Sequence, residues 1–101
     1  MDTSISARDG RAVIRLSGRF DFTVHRQFRE AVDKALEPKD VKEIQVDLGS
    51  VAYLDSSALG MLLMLRDKAR SINRGVSLAN CRGAVKQVLD IANFSKLFPI
   101  T

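Results

Sequence analysis

The spacing of apolar positions changes several times along the chain. From Arg11 to Ser17 it alternates, with Ala12, Ile14 and Leu16 on one side, which predicts a strand. A weaker strand over residues 4–7 precedes it. Asp9-Gly10 between them is a favoured two-residue hairpin turn, because both positions tolerate positive φ. Gly18 to Phe22 then reads as a loop. From Val24 to Leu36 the spacing becomes helical, with Val24, Phe28, Ala31, Val32 and Ala35 on one face. Thr23 is the expected N-cap, and Pro38 forbids continuation. Glu43 to Leu48 alternates again, with Ile44, Val46 and Leu48 opposite Glu43, Gln45 and Asp47. Burial on both faces would give a continuous apolar run, so this alternation predicts a sheet covered mainly on one side.

Gly49 to Leu54 leads into a helix expected from about Ser56 to Ile72. Its first half, Ala58 to Leu65, is apolar all round and reads as buried, whereas its second half is basic and should emerge. Asn73-Arg74-Gly75 is a helix stop. Val76 to Ala79 is another alternating strand. A third helix is expected over 82–92, with Asn80 or Cys81 near its start and Val85, Val88, Leu89 and Ala92 inward. Phe94, Leu97, Phe98 and Ile100 form an apolar tail that reads as a last edge strand. Repeated strand–helix–strand units imply parallel neighbours, and the first hairpin makes the sheet mixed. The predicted class is α/β, with a mixed, mostly parallel sheet of four to five strands and helices mainly on one face.

The 101 residues fit one domain over 1–101. Hydrophobic residues make up 46% and charged residues 28%, ordinary globular proportions that argue against disorder. One cysteine, Cys81, excludes an internal disulfide, and one histidine, His25, excludes a multi-histidine metal site. A polar N-terminus and a longest apolar run of only Met61 to Leu65 give neither a secretory signal nor a bilayer span, so the expected compartment is the cytoplasm, without direct membrane insertion. The net charge is +4. Residues 1–50 hold nine basic and nine acidic residues, so the excess lies wholly in the second half. Arg66, Lys68, Arg70 and Arg74 lack interleaved aromatic residues. They read as a solvated helix face rather than a nucleic-acid surface.

Enzyme signatures are mostly absent. No glycine-rich phosphate loop and no nucleophile elbow occur. His25 reads as a solvent-facing helix residue, and Cys81 as a buried or cap-adjacent thiol without a charge partner. No metal or cofactor is expected.

The informative segment is Tyr53-Leu54-Asp55-Ser56-Ser57-Ala58-Leu59-Gly60. It delivers Asp-Ser-Ser onto the first turn of an apolar helix. Helix capping alone accounts for these residue types, since Asp and Ser accept orphan backbone N–H bonds. A phosphorylation switch is the functional alternative. A phosphoserine there would add about −1.5 to −2 charges, favoured by the helix dipole and opposed by Asp55.

This segment resembles the Asp-Ser-Ser/Thr-Gly-Leu-Gly motif of the STAS domain, the fold of bacterial anti-sigma factor antagonists. Gly18-Arg19-Phe20-Asp21 is similar to the family's Gly-x-x-Asp, and Val85, Leu89, Phe94, Leu97 and Phe98 resemble its third helix and following segment. The resemblance implies a binding protein that is not itself an enzyme and acts by partner switching. The unphosphorylated form would bind a serine kinase or anti-sigma factor of the histidine-kinase-like ATPase fold. That kinase would phosphorylate Ser56, and a metal-dependent serine phosphatase would reverse the modification. Asp21 and Asp55 would shape the docking surface. Ser57 would be a supporting hydroxyl, with Ala58 and Gly60 completing the motif.

Ala58 departs from the family's more usual Gly, which predicts a stiffer first turn. The chain ends soon after Phe98, so the resemblance implies a domain lacking the usual C-terminal helix, with an apolar edge around Phe94, Leu97 and Phe98. The short length and the Ser-Ser-Ala-Leu-Gly wording resemble stand-alone members that regulate biofilm formation or surface lifestyle. The alternative is a constitutive STAS subunit bound to an ABC-type transport ATPase, for which a phosphorylatable serine has no use.

Overall fold

A computed structural model describes all residues, 1–101. Strand β1 (Asp2–Arg8) turns through Asp9-Gly10 into β2 (Arg11–Phe20). Asp9 has φ 54° and Gly10 φ 81°, as the tight hairpin requires. A 3₁₀ turn (Phe22–Val24) leads into α1 (His25–Leu36), followed by β3 (Glu43–Leu54), α2 (Ser56–Arg70), β4 (Gly75–Ala79) and α3 (Gly83–Ile91). The sheet order is β1-β2-β3-β4, with β1 antiparallel to β2 and the other pairs parallel. The architecture is the expected α/β one, with a four-stranded mixed sheet.

Helices α1 and α2 pack on one face, against Ile14, Leu16, Ile44, Val46 and Leu78, while α3 packs against β3. The other face is polar. Arg11 pairs with Glu43 and Arg15 with Asp47, and the Ser77 hydroxyl donates to Glu43 at 2.8 Å. The core contains no buried polar or charged residue.

Several expectations need correction. Residues 18–20 are strand, not loop, and β3 runs on through Gly49 to Leu54. The register explains both. Five steps along β2, from Arg15 to Phe20, match seven along β3, from Asp47 to Leu54. Bulges absorb the excess, and Gly18 sits at one of them with φ 93°, a conformation other residues rarely adopt. Asp21, not Thr23, is the capping residue, and it caps the 3₁₀ turn that leads into α1, whose own first turn has no side-chain cap.

Helix α2 is not buried all round. Ala58, Met61, Leu62 and Leu65 are buried, but Leu59, Leu63 and Met64 are only partly buried against the core and Gly60 is exposed. Finally, the tail is not an apolar edge. Phe94 and Phe98 turn into the core with ring centroids 5.4 Å apart, leaving Leu97 exposed. The last residues flank β4 through a single parallel bridge between Leu78 and Ile100. The Leu78 amide donates to Pro99 and the Thr101 amide to Leu78, so the chain end covers much of that open sheet edge.

Candidate functional site

Parallel pairing of β2 and β3 aligns Phe20 with Leu54, so the residues that follow leave the sheet at the same rim. They are Asp21 and Asp55. The Asp55 amide donates to the Phe20 carbonyl at 3.3 Å, tying the two exits together. Both aspartates have extended backbones, and each caps the helical turn that follows.

The two turns use the same chemistry. The Asp21 carboxylate accepts the Thr23 amide at 3.0 Å and the Thr23 hydroxyl at 2.5 Å. The Asp55 carboxylate accepts the Ala58 amide at 3.0 Å and the Ser57 hydroxyl at 2.5 Å. In each turn the residue after the aspartate, Phe22 or Ser56, is exposed. The two serines therefore differ physically. Ser57 is half-buried and its hydroxyl is committed to Asp55, whereas the exposed Ser56 hydroxyl makes no hydrogen bond within the chain.

Hydrogen bonding holds both carboxylates below the usual aspartate range. For Asp21 the Thr23 hydroxyl contributes most, followed by the Thr23 amide. For Asp55 the Ser57 hydroxyl contributes most. Desolvation opposes it, and the charge of Asp21 opposes it further. The rim thus carries two ionised carboxylates close enough to repel one another, beside a helix N-terminus that favours an anion.

Ala58 is fully buried at the third position of α2, where its amide meets Asp55. Gly60 lies on the exposed side, and an added Cβ would meet nothing within 4 Å. Space within this chain does not require a glycine there. None of the surface depressions is lined by Asp21, Phe22, Asp55 or Ser56. The largest, about 550 Å³ and lined by Ser6, Arg8, Gly10 and Lys42 among others, lies at the opposite end of the sheet. A rim without such a depression suits a macromolecule better than a small ligand.

Comparison with known proteins decides the family. The family model described as "Mlab, STAS domain" matches residues 3–99. The chain belongs to the STAS domain family. It is 46% identical over 101 residues to a STAS-domain-containing protein of Pseudomonas aeruginosa (strain UCBPP-PA14), covering 98% of this chain and 97% of that protein. It is 30% identical over 94 residues to the anti-sigma F factor antagonist of Paenibacillus polymyxa, covering 90% and 78%. The anti-sigma factor antagonist SpoIIAA has the same fold. Its unphosphorylated form superposes with a TM-score of 0.74 at 19% identity, covering 99% of this chain and 87% of that one. Its phosphorylated form gives 0.73 at 19% identity, covering 99% and 91%.

In this STAS domain the structure gathers Asp21, Asp55, Ser56 and Ser57 at one rim, with Ala58 beneath it and Gly60 beside it. The sequence pattern assigns no role to three further rim residues. The Arg19 guanidinium lies 4.7 Å from the Tyr53 ring and pairs with Asp21 at 3.5 Å, and Phe22 is 71% exposed. Arg19 and Tyr53 meet through a strand register that local spacing does not reveal. Phe22 carried a visible signal, an aromatic residue between Asp21 and Thr23 in a polar turn.

Two other reactive side chains take no part in these two turns. His25 is exposed on α1. Burial, with help from the charge of Asp47, pushes the Cys81 thiol up to about 11, so it stays protonated and a poor nucleophile. No three His, Cys, Asp or Glu side chains come together as a metal site, and no helix is long and apolar enough to cross a membrane.

Proposed function

We propose that this STAS domain is a phosphorylation-controlled binding protein of the anti-sigma factor antagonist type. Unmodified, it docks a regulatory partner across the rim around Ser56, and phosphorylation of Ser56 releases that partner. The observation that carries this reading is the contrast at the first turn of α2. Ser56 offers a free, exposed hydroxyl, while Ser57 is held by Asp55.

The partner is a serine kinase or anti-sigma factor of the histidine-kinase-like ATPase fold. Transfer of the γ-phosphoryl of ATP to Ser56 Oγ forms the phosphate ester and releases ADP and a proton. A metal-dependent serine phosphatase hydrolyses the ester. Support comes from the named activity of the Paenibacillus relative and from the phosphorylated form in which SpoIIAA was solved. This chain is then a substrate and a ligand, not an enzyme, and it works in the cytoplasm, where ATP is available. Control of biofilm formation is the lifestyle decision we assign to it.

The physical basis of release is charge and bulk. The helix N-terminus tolerates a phosphate, so the fold survives. A partner fitted to neutral Ser56 instead meets added negative charge beside Asp21 and Asp55. A mismatch of about 3 kcal/mol corresponds to a loss of affinity of about a hundredfold. Paired pull-downs with Ser56→Ala and Ser56→Asp baits, read by mass spectrometry, test the reading. A partner held by the alanine variant and lost by the aspartate variant is the expected result. Equal retention by both overturns the switch and favours a constitutive subunit of an ABC-type transport ATPase.

A further inference from the structure

We propose that Phe22 is the apolar anchor of the docking surface, and that the partner presents an apolar socket to it, with carboxylates on the side facing α1. This deepens the switch reading above and rests on it.

Phe22 is 71% exposed, although a phenylalanine ring gains more than most side chains from leaving water. Nothing in the chain's own packing calls for it. Phe20 and Phe28 fill the core beneath, with ring centroids 5.0 Å apart, and Val24 supplies the buried contact of the same turn. The Asp21 turn holds Phe22 outward, as the Asp55 turn holds Ser56 outward. The bond between the Asp55 amide and the Phe20 carbonyl joins the two turns, so one partner can cover both.

Charge around Phe22 is divided. Asp21 and Asp55 lie toward Ser56. Arg26 and Arg29 follow in the first turns of α1, three residues apart and so neighbours on its surface. Both arginines are exposed, and neither takes part in any ion pair of the structure. An exposed aromatic ring at the entry to a helix whose first turns carry two uncommitted arginines has the composition of an interface hot spot, and it calls for carboxylates opposite the arginines.

Two other occupants fit less well. An anionic bilayer would attract Arg26 and Arg29 but press Asp21, Asp55 and Ser56 against its headgroups, whereas carboxylates confined to the arginine side meet the arginines alone. A second copy seated here would bury Ser56 and hide it from a kinase.

The test uses the partner captured by the Ser56→Ala bait, purified and titrated against that bait carrying Phe22→Ala, Phe22→Leu, or Arg26→Glu with Arg29→Glu. Phe22→Ala should weaken binding about thirtyfold at an unchanged melting temperature. Phe22→Leu should lose less. The charge reversals should slow association, and added salt should shrink that difference. If the partner still discriminates Ser56→Ala from Ser56→Asp but binds Phe22→Ala within twofold, the anchor is wrong and the switch stands. If no captured protein discriminates the two Ser56 variants, the switch fails and the anchor with it. Vesicles of neutral lipid mixed with an anionic phospholipid, and sedimentation of the chain alone, probe the other occupants. Phe22-dependent binding to vesicles, or Phe22-dependent dimerisation, overturns the proposal.

Discussion

At the scale of single residues, the site depends on how two aspartates spend their hydrogen-bonding capacity. Each carboxylate holds one backbone amide and one hydroxyl, and each is kept ionised by doing so. Because both folded-state pKa values are depressed below 3.8, the stability these groups contribute is fully present above that value. It fades as pH falls through the lower folded-state values. Urea denaturation of the native chain and of the Asp21→Asn, Asp55→Asn double variant should therefore show a stability gap at neutral pH that closes on acidification below 3.8. A gap that widened there would reverse the assignment. Asp21 came from the family motif alone, since local spacing points to Thr23 as the cap. Sequence chemistry identified Asp55 and Ser56, because Asp and Ser at a strand-to-helix junction are capping residues with exposed neighbours. It could not separate Ser56 from Ser57 without the family motif. That distinction depends on which hydroxyl turns back toward Asp55, a fact of side-chain direction rather than composition.

At the scale of elements, the rim is placed by a mismatch between strands. β3 spends two more residues than β2 over the same span, and the bulges bring Phe20 level with Leu54. Alternation is visible in the sequence up to Leu48 and lost beyond it. The inward residues Val51 and Leu54 are three apart there, which no period of two describes. The hairpin and the helix centres were legible, because Asp9-Gly10 and the helical spacing of Phe28, Val32 and Ala35 are local signals. The exposed side of α2 was not, since a run of apolar residues shows no polar stripe to mark its solvent face. Ala58 bears on the same element. Ala58→Gly removes a fully buried methyl group and loosens the first turn of α2, so it should cost about 1 kcal/mol or slightly more in urea denaturation. It should leave the hydrogen bond from residue 58 to Asp55 in place. A stabilised variant would mean that the helix start is strained by the alanine.

At the scale of the whole molecule, the core and the chain end are one structure. Phe94 and Phe98 join the same apolar cluster as the sheet, and the residues after them cover the edge of β4. Phe98→Ala should cost about 3–5 kcal/mol and release the tail. The uncovered edge should then raise light scattering at high concentration. A variant as stable as the native chain would show that the tail is incidental. The sequence marked these aromatics as apolar but not their direction, which depends on how the chain returns from α3.

The rim and the core, by contrast, are nearly independent. Ser56 is exposed at a helix N-terminus, so Ser56→Asp should melt within a few degrees of the native chain, as circular dichroism can show. A switch requires this separation, since modification must alter the surface without unfolding the domain. The most direct measurement is the affinity of the purified partner for the native chain and for the same chain bearing phosphate at Ser56, at fixed salt. A loss of about a hundredfold with the melting temperature preserved is the predicted result. Equal affinities would contradict the account and return Ser56 to an ordinary place in the first turn of a helix.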